Sequence, residues 1–292
     1  MLFIRGDSTS PRECYGPDRS VRSLLRTIIG FTPIERCLLA MTDFPPVHLL
    51  LFVTAVFALA GFVKGVIGLG LPTITMGLLG AVLGPLQAAA LLVLPSLLTN
   101  VWQITGPGTA ALLRRLAPLL AGVCIGVWIG AGWLASAGRA GAAWPQIALG
   151  AALVMYALLG LLAWHPRVPP AHEGWLGPLA GLATGVVTSA TGVFVIPAVP
   201  YLQALGLAKD ELVRALGWAF LVATVALAAS LGHSGAFGRN ELLASVLALI
   251  PAFLGMGLGQ WLRGRLPPLL FRRVFFGGLL LLGLYLMLRT AL

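Results

Sequence analysis

The chain has 292 residues, 59% of them apolar and 10% charged, with a formal net charge of +10. A soluble globular chain carries roughly 25% charged residues, so this composition excludes a fold with a water-exposed surface and describes an all-α polytopic membrane protein. Most basic residues after position 45 lie between apolar spans, where cytoplasmic loops collect them, so the excess charge does not point to nucleic acid. Cys14, Cys37 and Cys124 are odd in number and show no CxxC spacing, which implies neither a disulfide framework nor a metal site.

Residues 1–45 contain six Arg and no apolar run long enough to cross a bilayer. Val21, Leu24, Leu25, Ile28 and Ile29 fall on one helical face and Arg19, Arg22 and Arg26 on the other, the pattern of a short helix in the membrane interface. An unstructured basic leader, or a start assigned too early with translation beginning at Met41, accounts for the same residues.

From Pro46 apolar segments follow near 47–63, 66–83, 86–104, 115–136 and 144–164, a first membrane repeat over 46–165. A polar linker at 166–173 precedes segments near 174–189, 193–206, 211–231, 240–262 and 269–289, a second repeat over 174–292. Spans of roughly 17–25 residues cross the hydrocarbon core as helices. The segments at 66–83 and 193–206 are interrupted or short, which suits half-helices broken near the midplane.

The two sides repeat each other. Gly61-Phe-Val-Lys-Gly65-Val-Ile matches Gly181-Leu-Ala-Thr-Gly185-Val-Val, and Gly126-x-x-x-Gly130 is paired with Gly255-x-x-x-Gly259. Loop charge orients the halves. Arg114 and Arg115 precede the fourth segment and only Arg139 follows it. In the second half Arg239 alone precedes the ninth segment, while Arg263, Arg265, Arg272 and Arg273 follow it. Because positive loops stay in the cytoplasm, the exchange predicts two inverted repeats with an odd number of crossings in each.

The stretch Gly61-Phe-Val-Lys-Gly-Val-Ile-Gly-Leu-Gly-Leu-Pro-Thr73 works against one continuous helix. A half-helix beginning after such a break offers free N–H groups and a positive dipole end to an anion. Lys64 lies within this stretch. An ammonium at mid-depth costs at least ~3 kcal/mol on insertion scales, so it either faces a bound anion or snorkels to the interface. The expected site therefore includes Lys64, Gly65, Gly68, Gly70 and Thr73. Thr188, Ser189 and Thr191 at the equivalent place in the second half would complete it, unless their hydroxyls bond back to their own helix.

Beyond Pro95, Ser96, Thr99, Asn100 and Gln103 recur on one helical face, of which Asn100 and Gln103 are expected to line the site; ordinary interhelical hydrogen bonding is the other account. Arg214 is placed at the edge as a second anion contact, or as an ion-pair partner of Asp210 and Glu211, with Trp218 one turn on. No His-x-x-x-His pair, carboxylate cluster, nucleophile elbow or phosphate loop suggests an enzyme or a cofactor, and the apolar spans carry no carboxylate outside their ends to bind a cation.

Gly61-Phe-Val-Lys-Gly-Val-Ile-Gly-Leu-Gly-Leu-Pro72, Pro95…Thr99-Asn100…Gln103 and Arg214-Ala-Leu-Gly-Trp-Ala-Phe220 resemble the TauE/SafE family of permeases, the sulfite exporters, over residues 47–289. The resemblance implies passive or ion-coupled movement of sulfite, sulfoacetate or other organosulfonates across the bacterial inner membrane. The chain departs from the family where a glycine triplet is usual and Gly68-Leu69-Gly70 stands instead. The expected function is a small-anion permease working by alternating access, one half rocking against the other, with the anion, the bilayer and a coupling ion as partners. A carrier of neutral or cationic solutes, or a non-transporting membrane scaffold, are the competing readings.

Overall fold

The structure, a computed structural model, describes residues 46–106, 108–162, 167–235, 239–263, 265 and 267–291. The expected N-terminal leader, Cys14, Cys37 and part of the linker lie outside the described residues. Eleven helices are present among the described residues, and no strand: α1 (Pro46–Ile67), α2 (Leu71–Leu83), α3 (Pro85–Gln103), α4 (Thr109–Ile129), α5 (Trp133–Arg139), α6 (Trp144–Leu162), α7 (Pro170–Thr191), α8 (Ala198–Ala204), α9 (Lys209–His233), α10 (Arg239–Leu262) and α11 (Pro268–Ala291).

Every expected apolar segment coincides with one of these helices. Seven described stretches are long and apolar enough to cross a membrane, and the chain is a polytopic all-α membrane protein. At 1.5 Å rise per residue, the 13-residue α2 is about 20 Å long and the seven-residue α8 about 10 Å. Both fall short of the ~30 Å hydrocarbon core. The fourth segment is shorter than expected: α4 stops at Ile129, and Gly132, at φ 85°, turns the chain into the separate α5. Between α2 and α3 a single Gly84 at φ 87° reverses the chain, and Pro85 opens the next helix, where its missing N–H costs nothing.

Prolines inside the spans are accommodated by neighbours. Pro95 removes the amide that would bond to the Leu91 carbonyl, and Ser245 Oγ of α10 donates to that carbonyl at 2.8 Å while accepting from Leu94 N at 3.2 Å. An unpaired carbonyl in lipid costs several kcal/mol, so this bond fixes α3 against α10.

The halves are interlaced rather than side by side. α1 packs along α10, and α4 along α7. In each pair glycines bring backbones into contact: a Cβ on Gly61 would lie 2.1 Å from the Ala252 carbonyl oxygen, and one on Gly181 2.0 Å from that of Leu119. Contacts run in step along both pairs, Gly65 meeting Met256–Gln260 and Gly185 meeting Val123–Val127, so each pair is parallel. The match also corrects the repeat register. Gly255 and Gly259 touch Phe62 as Gly122 and Gly126 touch Leu182, so Gly122-x-x-x-Gly126 is their counterpart. Three glycines spaced by four on α4 leave the sequence ambiguous by one helical turn.

Two further pairs join equivalent helices directly. α3 and α9 are antiparallel, with Ser96 beside Thr224 and Gln103 beside Val213. α6 and α11 are antiparallel too: Gly150 approaches Leu286, while Gly160 meets Phe276 and accepts from Arg272. Where α4 and α7 begin, Arg115 grips Glu173 through two hydrogen bonds of 3.0 and 2.7 Å.

Candidate functional site

α1 ends because Gly68 adopts φ 82° and Gly70 φ 121°, backbone that a side chain at Cβ disfavours. Gly68 N closes the last turn on the Lys64 carbonyl at 2.7 Å, and α2 begins at Leu71-Pro72. Thr73 Oγ1 donates to the Gly70 carbonyl at 3.0 Å, tying the new helix to the break. Lys64 thus sits in the last turn of α1, one turn before the break rather than inside it. The partial negative charge at that helix end is locally favourable to a cation.

Lys64 is 3% exposed and turned inward among the helices, contrary to the snorkelling account. Its Nζ donates to Thr99 Oγ1 at 3.0 Å and to Asn100 Oδ1 on α3. Asn100 Nδ2 then donates to Ser96 Oγ at 3.2 Å. Ser96 lies 2.9 Å from Thr224 Oγ1, which itself donates to the Phe220 carbonyl at 2.6 Å. Thr99 uses its proton on the carbonyls of Pro95 and Ser96. Donors are therefore spent in one direction along the chain, leaving the oxygens of Thr99 and Asn100 facing the ammonium. Both are neutral. The carboxylates Glu173, Asp210 and Glu211 lie in first turns of their helices, and none pairs with Lys64 among the described residues. An ammonium has three protons to donate and two acceptors here.

Gln103, one turn beyond Asn100, donates through Nε2 to the carbonyls of Gly68 at 2.9 Å and Val213 at 2.7 Å. It thereby joins the α1–α2 break to α9. Lys64, Gly68, Asn100 and Gln103 form one cluster, with Gly70 and Thr73 on its far side. Gly65 does not face it: a Cβ there would be 2.3 Å from the Met256 carbonyl, so this glycine serves the packing of α1 on α10.

The second break differs. Thr188, Ser189 and Thr191 are buried, but their hydroxyls donate to the carbonyls of Thr184, Val186 and Val187. Ser189 packs against Gly130 at the end of α4, and Thr191 also accepts from Val193 N at 3.1 Å. Among the described residues no hydrogen bond connects these hydroxyls to Lys64.

Arg214 lies against the turn that follows α3, its Nη1 2.8 Å from where a Cβ on Gly106 would stand. The alternative, a helix-surface ion pair, is not formed: Glu211 accepts from Ala208 N to cap α9, and Arg214 has no carboxylate partner among the described residues. Thr224 and Ser245 do not figure in the sequence reading. Each stands alone in its stretch of apolar helix, and the packing of α9 and α10 on α3 brings Thr224 to Ser96 and Ser245 to the Leu91 carbonyl.

No curated protein and no solved structure matches the chain. Residues 53–286 match the family model for the sulfite exporter TauE/SafE, and the chain belongs to that family of membrane permeases.

Proposed function

We propose that the protein carries small oxyanions such as sulfite, sulfoacetate or other organosulfonates across the bacterial inner membrane, with Lys64 as the central binding group. The observation that carries this reading is a buried ammonium with two neutral acceptors and, among the described residues, no carboxylate. A buried cation left in that state is costly, and an anion arriving at its third N–H relieves the cost. Thr99 and Asn100 hold the ammonium in place. Gln103 closes the cluster toward α9, and Gly68, Gly70 and Thr73 shape the backbone beside it.

Alternating access fits this arrangement with different moving bodies from those expected. Separating the two halves would pull apart the backbone contacts of α1 with α10 and α4 with α7. We assign α1, α2, α3 and α10 to one body and α4, α7, α8 and α9 to the other. The α3–α9 contact lies between them, and the Gln103 bridge crosses it.

The helix directions support inversion of the repeats. A two-fold axis in the membrane plane turns each helix end for end, so equivalent helices that touch run antiparallel, as α3 and α9 do and as α6 and α11 do. An axis along the membrane normal would leave them parallel. The same directions bring the start of α4, with Arg114 and Arg115, to the side where α10 ends, before Arg265, in agreement with the loop charges.

The test is flux of labelled sulfite into proteoliposomes of the full chain. Saturable uptake that falls at least ~100-fold in Lys64→Ala is expected, because removing a desolvated charge contact of 3 kcal/mol or more has about that effect. Unchanged uptake of every anion tried, or equal uptake of neutral and cationic solutes, would overturn it.

A further inference from the structure

Among the described residues, four buried side-chain polar atoms lack a hydrogen-bond partner, and two of them lie on one face of α9: Arg214 Nε and Trp218 Nε1. Residues four apart on a helix are neighbours, so the two side chains leave α9 on the same face, one turn apart. Neither atom can accept a hydrogen bond. Burying a donor without an acceptor is costly, the more so when the group is charged. Two such vacancies side by side, one on a guanidinium, match the oxygens of an oxyanion.

The surroundings leave the guanidinium available. Among the described residues Arg214 donates no hydrogen bond, and Asp210 and Glu211, the acids closest to it along α9, form no ion pair with it. Glycine at position 106 gives its Nη1 and Cδ the space that any side chain there would fill. Next to Arg214, the Val213 carbonyl accepts from Gln103 Nε2, whose other bond reaches Gly68, one turn past Lys64. The Gln103 bridge therefore stands between Arg214 and the ammonium of Lys64.

We propose that Arg214 and Trp218 form a second oxyanion site on α9, separated from the Lys64 site by the Gln103 bridge. An anion held here takes one hydrogen bond from the guanidinium and one from the indole, and lies ready to pass to Lys64 when the bridge opens. The proposal rests on the anion-carrier reading, which supplies the class of ligand.

The experiment is equilibrium binding of sulfite and of methanesulfonate to the purified full-length protein, by calorimetry and by tryptophan fluorescence. Wild type is expected to show two sites. Lys64→Ala should retain one, and in that background Arg214→Gln should weaken the remaining site at least ~30-fold. Trp218→Phe, which keeps an aromatic side chain but removes the indole N–H, should weaken it about 5- to 10-fold. Arg214→Lys, expected to recover part of the affinity, guards against misfolding as the cause of loss. If Lys64→Ala binds neither anion, the second site is refuted while the first stands. Binding in Lys64→Ala that ignores both Arg214→Gln and Trp218→Phe refutes it as well. If Lys64→Ala keeps both sites of wild type, the central reading falls and this one survives. Should wild type bind neither anion, both readings fall.

Discussion

The two breaks in the helical framework begin from matching sequence and end in different chemistry. At the first, a lysine stands where the second half has Thr184, and it reaches across to Thr99 and Asn100 on a neighbouring helix. At the second, Thr184 donates to the Ala180 carbonyl at 2.7 Å, and the hydroxyls after it turn back in the same way. One break therefore leaves donor capacity unmet, and the other satisfies itself. The contrast turns on one residue, a charged side chain at position 64 against a hydroxyl at position 184. The lesson is that a polar side chain in a membrane helix becomes a candidate for binding where its hydrogen bonds are unfinished, and not where it bonds back to its own turn.

The comparison is broken most directly by exchange. Lys64→Thr combined with Thr184→Lys moves the ammonium to the equivalent position, where no Thr99–Asn100 pair awaits it. Sulfite flux should stay at least ~100-fold below wild type, since the charge without its acceptors is a misplaced cation. Flux restored by the exchange would mean that the frames are interchangeable. A second change fills the unmet capacity from within. Asn100→Asp places a carboxylate on Lys64, so flux should fall about tenfold or more while the midpoint of thermal unfolding in detergent rises by a few degrees, as pairing of a buried charge predicts.

The glycines sharpen the contrast in backbone. Gly70 has φ 121°, and a Cβ there would lie 2.6 Å from Val63 Cγ1. Gly192 has φ 72°, within the left-handed region that other residues visit, and its Cβ would meet the flexible end of Met76. Gly70→Ala should destabilise by ~3 kcal/mol and Gly192→Ala by ~1 kcal/mol, read as the order of their thermal midpoints. The smallest effect is expected at Ser189→Ala, with flux within about twofold of wild type, because that hydroxyl serves only its own helix. A tenfold loss there would put the second break back into the site.

Much of the framework was legible without coordinates. Apolar run length located each long helix though not the separate α5, and the glycines with Pro72 located the first break, because backbone constraints act within a few residues. Lys64 stood out because a charge in an apolar run has no local explanation. What stayed hidden depends on which helix lies beside which. Thr188 and its neighbours look as polar as Thr99 and Asn100 in sequence, yet one set bonds to its own turn and the other across to α1. The register of Gly122 and Gly126 was lost to a third glycine at the same spacing. Gly65 resembled part of the break and belongs to the α1–α10 seam.

That seam, with its twin between α4 and α7, bears on how the molecule is made. The bare-backbone stripe of α1 enters the bilayer long before α10 has been translated, and it meets only lipid until then. α4 waits a shorter time, for α7. Neither repeat possesses a full complement of neighbours on its own, so assembly must be completed late, when the last helices thread back to partners inserted near the beginning of synthesis.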